Sequence, residues 1–172
     1  MVQGRSRART TLLFLHGAGG FVEDGPLASR LAASIDADLV MPRMSDEDMS
    51  VESWALPIRS AVADLGPDDL VAGHSFGGSI LLTVLGERAW RVRRVHLLAM
   101  PNWGADGWEV EEYDFDGPEP PQSLTLHHCR DDTVVPFAHL ALNTRMLPGA
   151  RVEAHATGGH QFEDELPELL GA

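Results

Sequence analysis

The sequence predicts an α/β domain, a three-layer sandwich built on a mostly parallel sheet of about six strands with helices on both faces. Two observations predict it. Short apolar runs alternate with helix-like segments along the whole chain, without an internal repeat. The residues able to do chemistry fall just after those runs, and parallel sheets bind ligands at the carboxyl ends of their strands.

Thr11–His16 (TLLFLH) reads as a buried strand, followed by a glycine turn, Gly17–Gly20, and a helix from about Pro26 to Ile35. Asp38–Pro42 is the second strand. From Val51 to Leu65, Val51, Trp54, Ala55, Ile58, Val62 and Leu65 share one helical face. Pro57 lies inside that pattern and sets the expected helix start near itself, after a loose turn. Leu70–His74 is a strand and Ser75–Glu87 a helix. Val95–Met100 is the next strand, ended by Pro101. Asn102 to Gln122 is rich in Gly, Pro and acids and has no period. Ser123–Cys129 is a strand, Phe137–Leu147 a helix and Ala150–Ala156 the sixth strand. Phe162–Leu170 is an expected terminal helix, shortened by Pro167.

The 172 residues fit one domain with a real core, and 44% hydrophobic with 23% charged residues is ordinary for a soluble globular protein. A formal charge of −13 argues against nucleic acid or an anionic membrane as partner, since both need a basic footprint. All 13 basic residues are arginine, which excludes Schiff-base, P-loop-lysine and Ser-Lys chemistry. One cysteine, Cys129, excludes an internal disulfide and a cysteine metal cluster. No H-x-x-x-H or H-E-x-x-H pair occurs, and the adjacent His127 and His128 point opposite ways on a strand, so neither metal nor cofactor is expected. Val2 to Thr10 is polar with three arginines, and the apolar run after it is short for a signal peptide or a membrane span. The expectation is a cytoplasmic protein that takes a small-molecule substrate.

Gly73-His74-Ser75-Phe76-Gly77-Gly78 joins a strand to an apolar helix with a serine at the turn. Glycines around a serine permit a strained bend that lifts its hydroxyl clear of the sheet edge. Such a nucleophile elbow is the functional reading; a serine N-cap in a glycine-rich turn is the plain one. A serine needs a base, and the base an orienting acid. His160, after Gly158-Gly159, is the candidate base, against a helix-capping histidine. Asp132, four before Pro136, is the candidate acid with Asp131 as fallback, and an Asx-turn or cap suits either aspartate. The Phe76 N–H and an N–H after the first strand, Ala18 first and Gly19 next, would form an oxyanion hole. His16, Gly17 and His74 would border the substrate, the two histidines shaping the site through hydrogen bonds. His96, His127, His128, His139 and His155 read as structural or surface residues.

HGAGG (His16–Gly20), GHSFGG (Gly73–Gly78), RDDTVVP (Arg130–Pro136) and GGHQF (Gly158–Phe162) span nearly the whole chain in order. On these residues the chain resembles the α/β-hydrolase superfamily, and within it the small serine hydrolases of the retinoblastoma-binding-protein type. The resemblance implies a minimal fold without a large cap domain, a triad of Ser75, Asp132 and His160, and ester-type hydrolysis. Cys129 departs from the glycine frequent there, and the first two antiparallel strands of the superfamily are missing. Residues 102–122 are the candidate lid. Their Trp103, Trp108, Tyr113 and Phe115 would wall an apolar acyl pocket, or simply pack on the core with the loop's acids in water. The expected activity is hydrolysis of small neutral esters, thioesters or lactones; acyl transfer, perhydrolysis on the same triad, and a non-catalytic binding protein on the same scaffold are the alternatives.

Overall fold

A computed structural model describes residues 9–170, so most of the arginine-bearing N-terminal stretch read above lies outside the described residues. Six strands, β1 (Thr11–Leu15), β2 (Asp38–Val40), β3 (Leu70–His74), β4 (Arg94–Leu98), β5 (Ser123–Cys129) and β6 (Arg151–His155), form one sheet in the order β2-β1-β3-β4-β5-β6. Every pair is parallel. The chain runs outward from β1 to β2 and then returns to the other side of β1. The carboxyl ends of β1 and β3 therefore flank the switch point, where such sheets hold ligands. Register Leu15↔Gly73 sets the His16 turn beside the Ser75 turn.

Alternation along the strands divides the core in two. Leu13, Val71, Val95 and Leu126 face the helices α2 (Val51–Ala63), α3 (Phe76–Gly86) and α4 (Ala138–Met146), whose Trp54, Ile58, Ile80, Val84 and Leu140 cover them. Leu12, Phe14, Leu70 and Leu98 face α1 (Gly25–Ser34) and the C-terminal segment, through Leu27, Leu31, Phe162 and Leu169. Helix α3 is buried along nearly its whole length, and this fits a segment apolar on all sides.

Three elements differ from expectation. Helix α2 begins at Val51, with Ser50 Oγ accepting from the Ser53 N–H at 3.4 Å, and runs straight through Pro57. Burying Trp54 contributes about 4–6 kcal/mol, which exceeds the roughly 3 kcal/mol that a mid-helix proline costs. The second strand pairs over only three residues, because it is the sheet edge and Pro42 has no N–H to offer. The expected helix over 162–170 is absent: Phe162 sits at φ 51°, a left-handed conformation that stops a helix at its first residue, and turns follow. That path still buries Phe162 and Leu169.

Residues 102–122 are irregular except for a 3-10 turn at Glu111–Tyr113. Among the hydrogen bonds that pin the segment to the body, Trp103 Nε1 donates to Ser79 Oγ at 2.8 Å, and the Tyr113 hydroxyl donates to the Met49 carbonyl at 3.0 Å. No helix among the described residues is long and apolar enough to cross a membrane.

Candidate active site

Ser75 follows β3 at φ 51° and ψ −123°, outside the regions that L-residues favour, and its side chain does not cap α3. Such a backbone costs on the order of 1–3 kcal/mol and persists only where its surroundings enforce it. Here the Ser75 N–H donates to the Leu98 carbonyl at 2.8 Å. Gly77 lies against the end of β1, where a Cβ would stand 2.4 Å from the His16 carbonyl oxygen. The glycines thus bring the first turn of α3 down onto β1, with Ser75 at the apex. The helix-cap reading of this serine fails on its lack of a side-chain cap bond.

His160 lies in a 3-10 turn, Gly159–Gln161, beyond β6. Its Nδ1 donates to Asp132 Oδ2 at 2.8 Å. Asp132 is buried, and its Oδ1 accepts the N–H groups of Val134 and Val135 at 2.8 and 2.9 Å. Burial alone would raise its pKa; hydrogen bonds from His128, His160 and the Val135 N–H outweigh burial and hold it well below the usual carboxylate range. His128 Nε2 stands 3.4 Å from Asp132 Oδ2 and 2.9 Å from the Val135 carbonyl, so this histidine braces the acid. Asp131 has other partners. Its carboxylate accepts from the Gly158 and Gly159 N–H groups at 3.2 and 2.8 Å, fixing the turn in which both glycines take positive φ, 121° and 59°.

Asp24, which no sequence motif marks, joins three parts of the site. Its Oδ2 accepts from the Gly17 N–H at 2.7 Å and faces His74 Nδ1 at 2.8 Å; its Oδ1 accepts from Gln161 Nε2 at 2.8 Å. Burial would raise this carboxyl, yet the bonds from His74, Gly17 and Gln161 bring it down to about 2. His74 Nε2 in turn donates to the His160 carbonyl at 2.8 Å. One buried carboxylate therefore links the turn after β1, the residue before Ser75 and the His160 turn. A lone aspartate between a glycine turn and a helix looks like a helix cap in sequence, and no spacing rule marks it otherwise.

Ser75, Phe76, Ala18, Gly17, His74, His160, Trp103 and Trp108 all border one cavity of about 390 Å³. Ala18 lines it and Gly19 does not. His16 does not reach it. That ring is fully buried behind the turn, with Nδ1 donating to the Gly17 carbonyl at 2.7 Å and Nε2 accepting from the Met44 N–H at 3.0 Å, packed between Phe21 and Trp54. Both nitrogens are satisfied internally, so His16 shapes the turn and makes no substrate contact. The opposite wall is aromatic: Phe76, Trp103 and Tyr113 meet edge to face with centroids 4.8–5.9 Å apart, and Trp108 extends the row 5.1 Å from Trp103.

No protein-family model matches the chain, and no curated protein matches it in sequence. Solved structures do match in shape. The ydeN gene product from B. subtilis superposes with a TM-score of 0.71 at 18% identity, over 90% of this chain and 89% of that one. Alpha/beta hydrolase domain-containing protein 10 from mouse gives 0.68 at 15% identity, over 95% and 85%. A meta-cleavage product hydrolase from Pseudomonas fluorescens gives 0.65 at 15% identity, over 90% and 85%. With its all-parallel six-stranded sheet and its serine turn at the switch point, this chain has a minimal α/β-hydrolase fold.

Proposed function

We propose that this protein is a serine hydrolase that cleaves small, neutral, apolar-leaning ester, thioester or lactone bonds through an acyl-enzyme. The observation that carries the reading is the 2.8 Å bond between His160 Nδ1 and Asp132 Oδ2, beside a cavity that also bears Ser75 on a strained turn. With Nδ1 committed to Asp132, the His160 lone pair lies on Nε2, the nitrogen that would take the Ser75 proton. The Ser75 alkoxide attacks the carbonyl carbon, and the N–H groups of Phe76 and Ala18 stabilise the oxyanion. His160 passes its proton to the leaving alcohol or thiol. Water, deprotonated by His160, then releases the acid and restores Ser75.

The aromatic wall favours an apolar acyl group, and the acids of 102–122 disfavour anionic substrates. That segment acts as a short fixed lid. The four motifs that resemble the retinoblastoma-binding-protein type all meet at this cavity, and hydrolases are among the structures of similar fold. A panel of p-nitrophenyl esters of graded acyl length, run with Ser75→Ala, tests the reading. Turnover on acyl chains of a few carbons that disappears in the variant is expected. Equal rates for both proteins would overturn it.

A further inference from the structure

Three histidines line up across the face of the sheet covered by the C-terminal segment, outside the lining of the cavity. His96 on β4, His127 on β5 and His155 on β6 stack with centroids 5.2 and 5.6 Å apart. His96 Nδ1 faces His127 Nε2 at 3.0 Å, and His127 Nδ1 faces His155 Nε2 at 3.3 Å. Register pairs His127 with Glu153, and the alternation of β6 puts Glu153 and His155 on the same face. Glu153 Oε2 lies 3.4 Å from His127 Nδ1.

The hydrogen-bonding partners fix where the lone pairs are. His96 also bonds the backbone of Leu169, an interaction that favours a protonated nitrogen there and leaves Nδ1 as an acceptor. His127 must then donate through Nε2, so its Nδ1 is a bare lone pair. His155 Nδ1 faces Glu165 Oε2 at 3.4 Å; donating there turns the Nε2 lone pair toward His127. Two imidazole lone pairs and a carboxylate oxygen thus converge, all within 4.8 Å of one another.

Two of the three spacings, 3.3 Å from His127 Nδ1 to His155 Nε2 and 3.4 Å from His127 Nδ1 to Glu153 Oε2, match a known coordination geometry. Bonds of about 2.0–2.1 Å arranged tetrahedrally put neighbouring ligand atoms about 3.3–3.4 Å apart. We propose that His127 Nδ1, His155 Nε2 and Glu153 Oε2 bind a divalent transition-metal ion of the zinc class, with water as fourth ligand. Two imidazoles and one carboxylate suit zinc, cobalt or nickel and not magnesium or calcium. The surroundings are those of metal ligands: His127 is oriented by His96, His155 by Glu165, and Glu153 Oε1 by Arg151 Nη2 at 2.8 Å. Spacing rules for helices miss the set, because Glu153 and His155 are two apart on a strand and His127 comes from its neighbour. The ion would tie β5 to β6, the strands that lead into Asp132 and His160, and so stiffen the base of the site without touching substrate.

Tag-free protein stripped with chelator and titrated with cobalt(II) tests this. Expected are one equivalent bound, the intense visible bands of tetrahedral cobalt, and a higher Tm. Glu153→Gln and His155→Gln should each weaken binding by about tenfold or more. No binding, a weak six-coordinate spectrum, or wild-type affinity in both variants would overturn the site and leave the histidines as a hydrogen-bonded ladder only. Should a variant fail to fold, X-ray absorption on zinc-loaded wild type decides: two imidazole scatterers support the site, and an all-oxygen shell contradicts it.

Discussion

Asp24 Oδ2 and His74 Nδ1 lie 2.8 Å apart, and both side chains are almost fully buried. Both nitrogens of His74 face acceptors, the Asp24 carboxylate and the His160 carbonyl, so the pair holds the turn after β1 and the His160 turn against the residue beside Ser75. Asp24→Ala should destabilise the fold by about 3–5 kcal/mol, the range for breaking a buried pair while its partner stays buried. Urea unfolding measures this; a loss under 1 kcal/mol would contradict it.

The same carboxylate gives a pH dependence of definite sign. Its folded pKa of about 2 lies below the ordinary 3.8, so Asp24 adds stability that is fully present above about pH 4 and is lost as pH falls through about 2. The difference corresponds to about 2 kcal/mol. Asp132, also depressed, adds a contribution of the same sign. Stability measured from pH 5 to 2 should fall more steeply in wild type than in Asp24→Asn. Parallel curves would contradict the assignment.

Backbone strain at Ser75 can be relieved. Glycine accepts φ 51° without cost, so Ser75→Gly should raise stability by about 1 kcal/mol relative to Ser75→Ala. Gly77→Ala should do the opposite, because its Cβ would meet the His16 carbonyl at 2.4 Å, and a loss of about 2 kcal/mol or more is expected. Thermal unfolding of the three variants checks both directions.

The two aspartates after β5 should separate cleanly. Asp132→Asn removes the carboxylate that orients His160, and kcat should drop by about 10²–10⁴-fold with KM little changed. Asp131→Asn disturbs only the glycine turn and should cost about tenfold or less. Similar losses in both would refute the division of roles.

Trp108, 40% exposed at the cavity rim, is the wall residue least tied to folding. Trp108→Ala should raise KM for longer acyl esters by about tenfold, near the range for a lost aromatic contact, and leave kcat and Tm close to wild type. An unchanged KM across the ester panel would remove this residue from the substrate site.

Most of the fold was legible because its strands are short, apolar and separated by turns, so period and length agreed. The exceptions have physical causes. Trp54 upstream of Pro57 kept the helix going through a proline, and the left-handed Phe162 ended a helix whose apolar spacing looked adequate. The turns that carry Ser75, Asp132 and His160 were readable because glycines and turn residues mark them locally. Asp24, His128 and the His127–Glu153–His155 set were not, since each gains its meaning from a partner on another strand or a distant loop.

The claim that Ser75 is an activated nucleophile is tested most directly by intact-mass analysis after incubation with a fluorophosphonate. The account predicts one phosphonyl adduct per chain, mapped to Ser75 by peptide sequencing and absent from folded Ser75→Ala. Folded wild-type protein that stays unmodified, or an adduct mapped to another residue, would contradict it.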